Sequence, residues 1–148
     1  MKLDENDLKI ISALTEDSNL STRRIAKKIF LPVTTVHNRI KKLVNEGVIK
    51  RFTIEVDNKK VGLNLSAYIL LKLEFKHLFK RVGTQNDLAS VIMKFPQVRS
   101  VDYLTGQYDA IIHALFKNID DLNQFITYQL TKIGGVKETI TFMVLKEG

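Results

Sequence analysis

The chain has no cysteine, which excludes disulfides and thiolate-bound metals and fits a reducing cytoplasm. Its three histidines, His37, His77 and His113, stand far apart and show no metal-ligand spacing. No apolar run reaches the roughly 18 residues of a membrane span. The longest candidate, "SAYILLKLEF", is broken by Lys72 and Glu74. No apolar run follows the charges of "MKLDENDLK", so no signal peptide is expected. A nucleophile–base pair and a glycine-rich phosphate loop before a helix are also missing. An enzyme on this chain would lack its reacting groups, and no cofactor is expected.

What is present is a chain of 148 residues, enough for one ordinary domain or two small ones, with 45% apolar residues to pack a core. Its net charge of +7 is unevenly placed. Within residues 18–51 there are nine basic side chains and a single acidic one, Glu46. Such a concentration suits a polyanion partner, although charge alone leaves a solvated basic face open.

The first 50 residues read as three helices. Asp4 is placed to cap the first, with Asp7 near its positive end, and Leu3 and Leu8 are spaced for a hydrophobic staple. Its apolar stripe is Leu8, Ile11 and Leu14, with Ile10 beside it. Ser21 caps a second helix, "TRRIAKKIF", which turns Ile25, Ala26 and Ile29 inward. Pro32 bars that helix from continuing. A third helix covers roughly 33–46, with Val33, Val36, Ile40 and Leu43 inward and Gly47 as its C′ residue. Val48 and Ile49 are expected to close the small core. The short link between the second and third helices predicts a helix-turn-helix.

The outer face of the third helix carries Thr34, Thr35, His37, Asn38, Arg39, Lys41 and Lys42. In a major groove, Asn38 suits adenine edges, Arg39 guanine, and the threonine methyls thymine. Arg23, Arg24, Lys27, Lys28, Arg39, Lys41 and Lys42 are within reach of phosphates. Double-stranded DNA is therefore the expected partner.

Next, "RFTIEVD" alternates as a half-buried strand, and the turn-rich "NKKVGLN" marks a boundary near 58–64. The remainder reads as strand 66–75, helix 84–95, strand 97–104, strand 108–116, helix 118–133 and strand 136–145. That β-α-β-β-α-β order, supported by a faint internal repeat, predicts an α+β fold: an antiparallel ferredoxin-like sheet with both helices on one face. The open face, apolar on "YILLKLEF" and "YDAIIHALF", is expected to be buried against a second copy. Ferredoxin-like sheets can bind RNA, but no RNP-type aromatic run is present.

"LDENDLKIISAL", "STRRIAKKI", "TTVHNRIKKLVNEGVIKRFTIEVD" and "VGLN" resemble the N-terminal half of the Lrp/AsnC (leucine-responsive and asparagine regulator) family. "TGQYDAIIHALF" and "GGVKETITFMVL" resemble its C-terminal half. The resemblance runs from Leu3 to about Leu145. It implies a transcription regulator with a winged helix-turn-helix domain over 1–51, a strand and hinge over 52–64, and a ferredoxin-like effector-binding and oligomerisation domain over 65–148. In the family the connecting strand pairs across a homodimer, sheets pack face to face, and dimers often build octamers. An amino-acid effector binds between dimers. Carried over, its turn is Thr105, Gly106, Gln107, Tyr108 and Asp109, with Thr139 and Thr141 on the last strand as further positions. Asp109 suits an α-ammonium group and the backbone at Gly106 a carboxylate. The bland alternatives are a turn-capping Asp109 and plain strand propensity for the two threonines. An effector-independent regulator and an architectural DNA-binding protein remain the competing functions.

Three departures from the family stand out. Phe30-Leu31-Pro32 replaces the usual Gly-Leu-Ser, so the N-cap serine is lost. Arg24 replaces the glutamate of a capping box after Ser21. "KHLFKRVGTQND" is longer than usual.

Overall fold

The computed structural model describes residues 2–74 and 88–146. The long segment "KHLFKRVGTQND" and the first turn of the helix expected over 84–95 lie outside those residues. The chain divides into two units, residues 1–56 and 57–148.

The first unit holds α1 (Glu5–Glu16), α2 (Thr22–Ile29) and α3 (Val33–Asn45). Asp4 caps α1 through a reciprocal pair of bonds. The Asp7 N–H donates to the Asp4 carboxylate at 2.9 Å, and the Asp4 N–H donates to that of Asp7 at 3.1 Å. Two orphan amides are thus satisfied. Ser21 caps α2 by accepting from the Arg24 N–H at 3.3 Å. The core is Ile10, Ala13, Ile25, Ala26, Val36 and Leu43. Ile11, Leu14, Ile29, Ile40 and Ile49 pack at its margin.

Three expectations need correction. Leu8 is exposed, and the buried line of α1 runs through Ile10 and Ala13. Asp7 takes the inward position that Leu8 was expected to fill. Val33 and Val48 are also exposed, and only Ile49 closes the core from that end. Thirdly, residues 52–56 form no strand ladder among the described residues. Phe52, Ile54 and Val56 stay exposed, and the Ser18 hydroxyl fastens the segment by donating to the Thr53 carbonyl at 2.7 Å. A strand needs a neighbour's edge, and this helical unit has none to offer.

The turn before α3 is strained. Phe30 ends α2 at φ 57°, ψ 45°, the left-handed region. A side chain there costs about 1–2 kcal/mol, and glycine costs nothing. Pro32 then serves as N-cap of α3 with no side-chain cap bond, so neither Thr34 nor Thr35 replaces the lost serine. At the other end Gly47, at φ +70°, closes α3 without strain.

The second unit is an α+β sandwich. Its strands are β1 (Leu65–Leu73), β2 (Val98–Tyr103), β3 (Ala110–Phe116) and β4 (Val136–Met143), all antiparallel in the order β2-β3-β1-β4. The helices are α4 (Leu88–Ile92) and α5 (Ile119–Gln124). Helix α5 continues as a π-helical stretch, Phe125–Leu130. Ala67, Ile69, Leu71, Ala110, Ile112, Ala114 and Phe116 pack with Ile92, Leu122, Phe125 and Leu130, which puts both helices on one sheet face. On the other face Tyr68 and Phe142 are exposed, and Leu70, Ile111 and Ile140 are half-buried.

Candidate nucleic-acid interface and effector turn

Helix α3 presents two faces, and its core contacts decide which is which. Val36 and Leu43 are fully buried, and Ile40 lies between them at the core margin. The opposite stripe, Thr34, His37, Asn38 and Lys41, is exposed at helical spacing i, i+3, i+4, i+7. Lys42 is exposed and Thr35 half-buried along its flanks. This stripe offers a hydroxyl, an imidazole, an amide and an ammonium, which can meet base edges and phosphates.

Arg39 is set apart from that stripe. One guanidinium nitrogen, Nη1, donates to both Asp4 carboxylate oxygens at 2.8 and 2.7 Å and to Asp7 Oδ1 at 2.8 Å. Asp7 is buried. The Asp7 amide, and then Arg39, hold the Asp4 carboxyl below its ordinary value. The same carboxylates hold the arginine above its own. The sequence marked Arg39 for guanine; here it pins α3 to the start of α1. The signal was present, because Asp4 and Asp7 open α1, but the pairing spans 35 residues and no local pattern reveals it.

On α2, Arg23, Arg24 and Lys27 are exposed. Lys28 is paired with Glu16 of α1. Lys28 is exposed as well, and a surface pair of this kind holds it only weakly.

In the sheet unit, the turn from Thr105 to Asp109 is fastened at the end of β1. The Asp109 N–H donates to the Leu71 carbonyl and the Leu104 N–H to the Asp109 carbonyl, both at 2.9 Å. The Leu73 N–H donates to Asp109 Oδ2 at 2.8 Å. One aspartate therefore ties the ends of β1, β2 and β3. Lys72, unmarked in the sequence except as a break in an apolar run, donates to the Gln107 carbonyl at 2.7 Å. Thr105, Gly106 and Gln107 are exposed, and Tyr108 is half-buried. Gly106, at φ +119°, has open space where a Cβ would stand.

Thr139 and Thr141 pair with Leu71 and Ile69, on the helix-covered side of the edge strand β4. Thr139 and Asp109 thus flank the same end of β1, with the turn on one side and β4 on the other. Two strand spacings separate them, about 9–10 Å. Among the described residues no group of acidic, histidine or cysteine side chains is placed to hold a metal ion, and no helix is long and apolar enough to cross a membrane.

Comparisons with known proteins agree with this division. Residues 3–50 match a winged helix-turn-helix DNA-binding family, and residues 67–147 match the Lrp/AsnC ligand binding domain. An HTH-type transcriptional regulator of Pyrococcus abyssi is 40% identical over 144 residues, 97% of this chain and 92% of the relative. The HTH-type transcriptional regulator FL11 of Pyrococcus furiosus is 38% identical over 144 residues, 97% of this chain and 90% of the relative. Among solved structures, a Neisseria meningitidis transcriptional regulator in complex with L-Met has 26% identity and a TM-score of 0.85, covering 99% of this chain and 92% of that one. LrpC of B. subtilis has 28% identity and a TM-score of 0.81, covering 99% and 97%.

Proposed function

This chain belongs to the Lrp/AsnC family of DNA-binding transcription regulators, and on that premise we propose that a homodimer of it reads a pseudo-palindromic duplex with the exposed stripe of α3. The observation that carries this reading is the separation of faces on α3: Val36 and Leu43 inward, Thr34, His37, Asn38 and Lys41 outward. His37 and Asn38 read base edges, while Arg23, Arg24, Lys41 and Lys42 hold phosphates. Arg39 leaves the base-reading set and keeps α3 in place. The uncapped N-terminus of α3 also suits a phosphate, since its first amides have no side-chain acceptor.

Two features support self-association. Residues 52–56 carry alternating exposed apolar side chains without a ladder partner, which a second copy supplies by symmetry. The open sheet face, with Tyr68 and Phe142 exposed, offers a second contact. Further assembly into octamers and binding of a small L-amino acid at Thr105–Asp109 complete the proposal. Asp109 takes the α-ammonium and the Gly106 backbone the carboxylate, with Thr139 and Thr141 contributed by a neighbouring copy. The relative crystallised with L-Met favours this ligand class.

Selection of bound duplexes from a random pool tests the central claim. The expected result is an enriched palindrome bound at least about a thousandfold more tightly than random DNA. Asn38→Ala should weaken that site by about 1–3 kcal/mol and leave random DNA unaffected. Binding that enriches nothing and merely fades with salt would favour an architectural role instead.

A further inference from the structure

Phe30 is the side chain that neither the core nor the α3 stripe explains. It sits at φ 57°, where glycine would be unstrained, and the residue is 93% exposed. A backbone kept in a sparsely populated region and a large apolar group kept in water point together to a task outside the folded chain. Phe30 lies two residues before Pro32, the N-cap of α3. Its Cα is therefore within about 8 Å of the start of that helix.

The first turn of a recognition helix is the part that meets base edges. A phenyl ring brought there has no hydrogen-bonding atom to offer. The apolar feature that a major groove presents to it is the 5-methyl group of thymine. We infer that Phe30 is a base-reading residue, packing its ring on a thymine methyl at the edge of the half-site held by α3. The inference rests on α3 being the recognition helix and adds a contact that α3 itself does not make. It also accounts for the strain, since glycine in this turn would relieve the backbone and lose the contact.

The test uses the full-length chain and the duplex that it enriches from a random pool. Each thymine of a half-site is replaced in turn by deoxyuridine, which lacks only the methyl group. At one position the replacement should weaken the unmodified protein about fourfold, the factor given by burying one methyl group. Phe30→Gly should weaken binding to the thymine duplex at least as much and be indifferent to deoxyuridine at that position. Its salt dependence should not change, because no phosphate contact is lost. Its melting temperature should rise or hold, which separates lost contact from lost fold.

The inference is overturned if Phe30→Gly binds as the unmodified protein does. It is overturned equally if the variant loses the same factor on random DNA, changes oligomeric state, or keeps the deoxyuridine penalty. Asn38→Ala, measured in parallel, distinguishes the two levels. Specificity lost with Asn38→Ala but kept with Phe30→Gly leaves α3 as the reader and removes Phe30. Specificity kept in both removes the α3 reading as well.

Discussion

Two aspartate-based clamps, one from each unit of the molecule, relate differently to function. In the helical unit, Asp4 and Asp7 hold the guanidinium of Arg39. In the sheet unit, Asp109 holds the backbone amide of Leu73. Arg39 and Asp109 are both residues whose type and position suit a ligand, and both are occupied by the protein itself. For Arg39 the clamp is on one nitrogen: its Nη1 meets three carboxylate oxygens, and the side chain is 28% exposed. The reading face of α3 does without it, because the stripe at Thr34, His37, Asn38 and Lys41 lies elsewhere on the helix. Asp109 has no such substitute. It stands in the proposed effector turn, where its bonds with Leu71, Leu104 and Leu73 fix the place of its carboxylate. Anchoring then positions the group for a ligand.

Breaking the sheet-unit clamp should have the larger effect. Leu73 is buried, so Asp109→Ala leaves its amide without this acceptor, at a cost of about 1–3 kcal/mol. Asp109→Asn keeps an oxygen for that amide and loses the charge. The asparagine variant should therefore melt above the alanine variant yet lose any shift of DNA affinity caused by an L-amino acid. Thermal melting, paired with DNA titrations across an amino-acid panel, checks both halves. A normal amino-acid response in Asp109→Asn would leave the residue with its architectural role alone.

The contrast also shows which parts of the molecule were legible in the sequence. The three helices, the β-α-β-β-α-β order and the exposed stripe of α3 follow from periodicity, which is local. Ser21 and Gly47 act as caps for equally local reasons. The Arg39 clamp and the Asp109 anchor were not legible in this way, since they join residues 35 and 36 positions apart. Leu8 and Val33 fit the helical repeat but stay exposed, because a repeat gives a helix its face and the neighbouring elements decide how far that face is covered. The expected strand at "RFTIEVD" alternates correctly and still lacks a ladder, as alternation prepares an edge without providing its partner. Thr139 and Thr141 lie beyond the reach of pattern for another reason. Their side of the sheet is set by the register of β4 on β1, not by their own spacing.

Breaking the helical-unit clamp should cost less stability and affect DNA binding differently. Arg39→Ala leaves buried Asp7 without its cation, in a pair that is partly open to solvent on the arginine side. A loss of about 1–2 kcal/mol is expected from such a geometry. At temperatures where the variant remains folded, its preference for the enriched site over random DNA should match the unmodified chain. Asn38→Ala should show the reverse, with unchanged melting and lost preference. Loss of preference in folded Arg39→Ala would return the guanidinium to the base-reading set and weaken the division between clamp and stripe.

The smallest expected effect is the pH dependence of the same clamp. The Asp7 amide and Arg39 keep the Asp4 carboxyl below its ordinary value of 3.8 in the folded chain. A depressed carboxyl stabilises the fold above the unfolded value, and that contribution is lost as pH falls through the folded one. Stability of the helical unit should thus be level above 3.8 on this account and decline below it. Asp4→Asn keeps an oxygen to cap α1 and carries no charge, so it should melt earlier than the unmodified chain at neutral pH. The gap should narrow as acid protonates Asp4 in the unmodified protein. Melting curves of both chains from neutral pH to below 3.8 read this directly. A gap of constant width would mean that Asp4 acts through cap geometry alone, with its charge contributing nothing to holding α3 against α1.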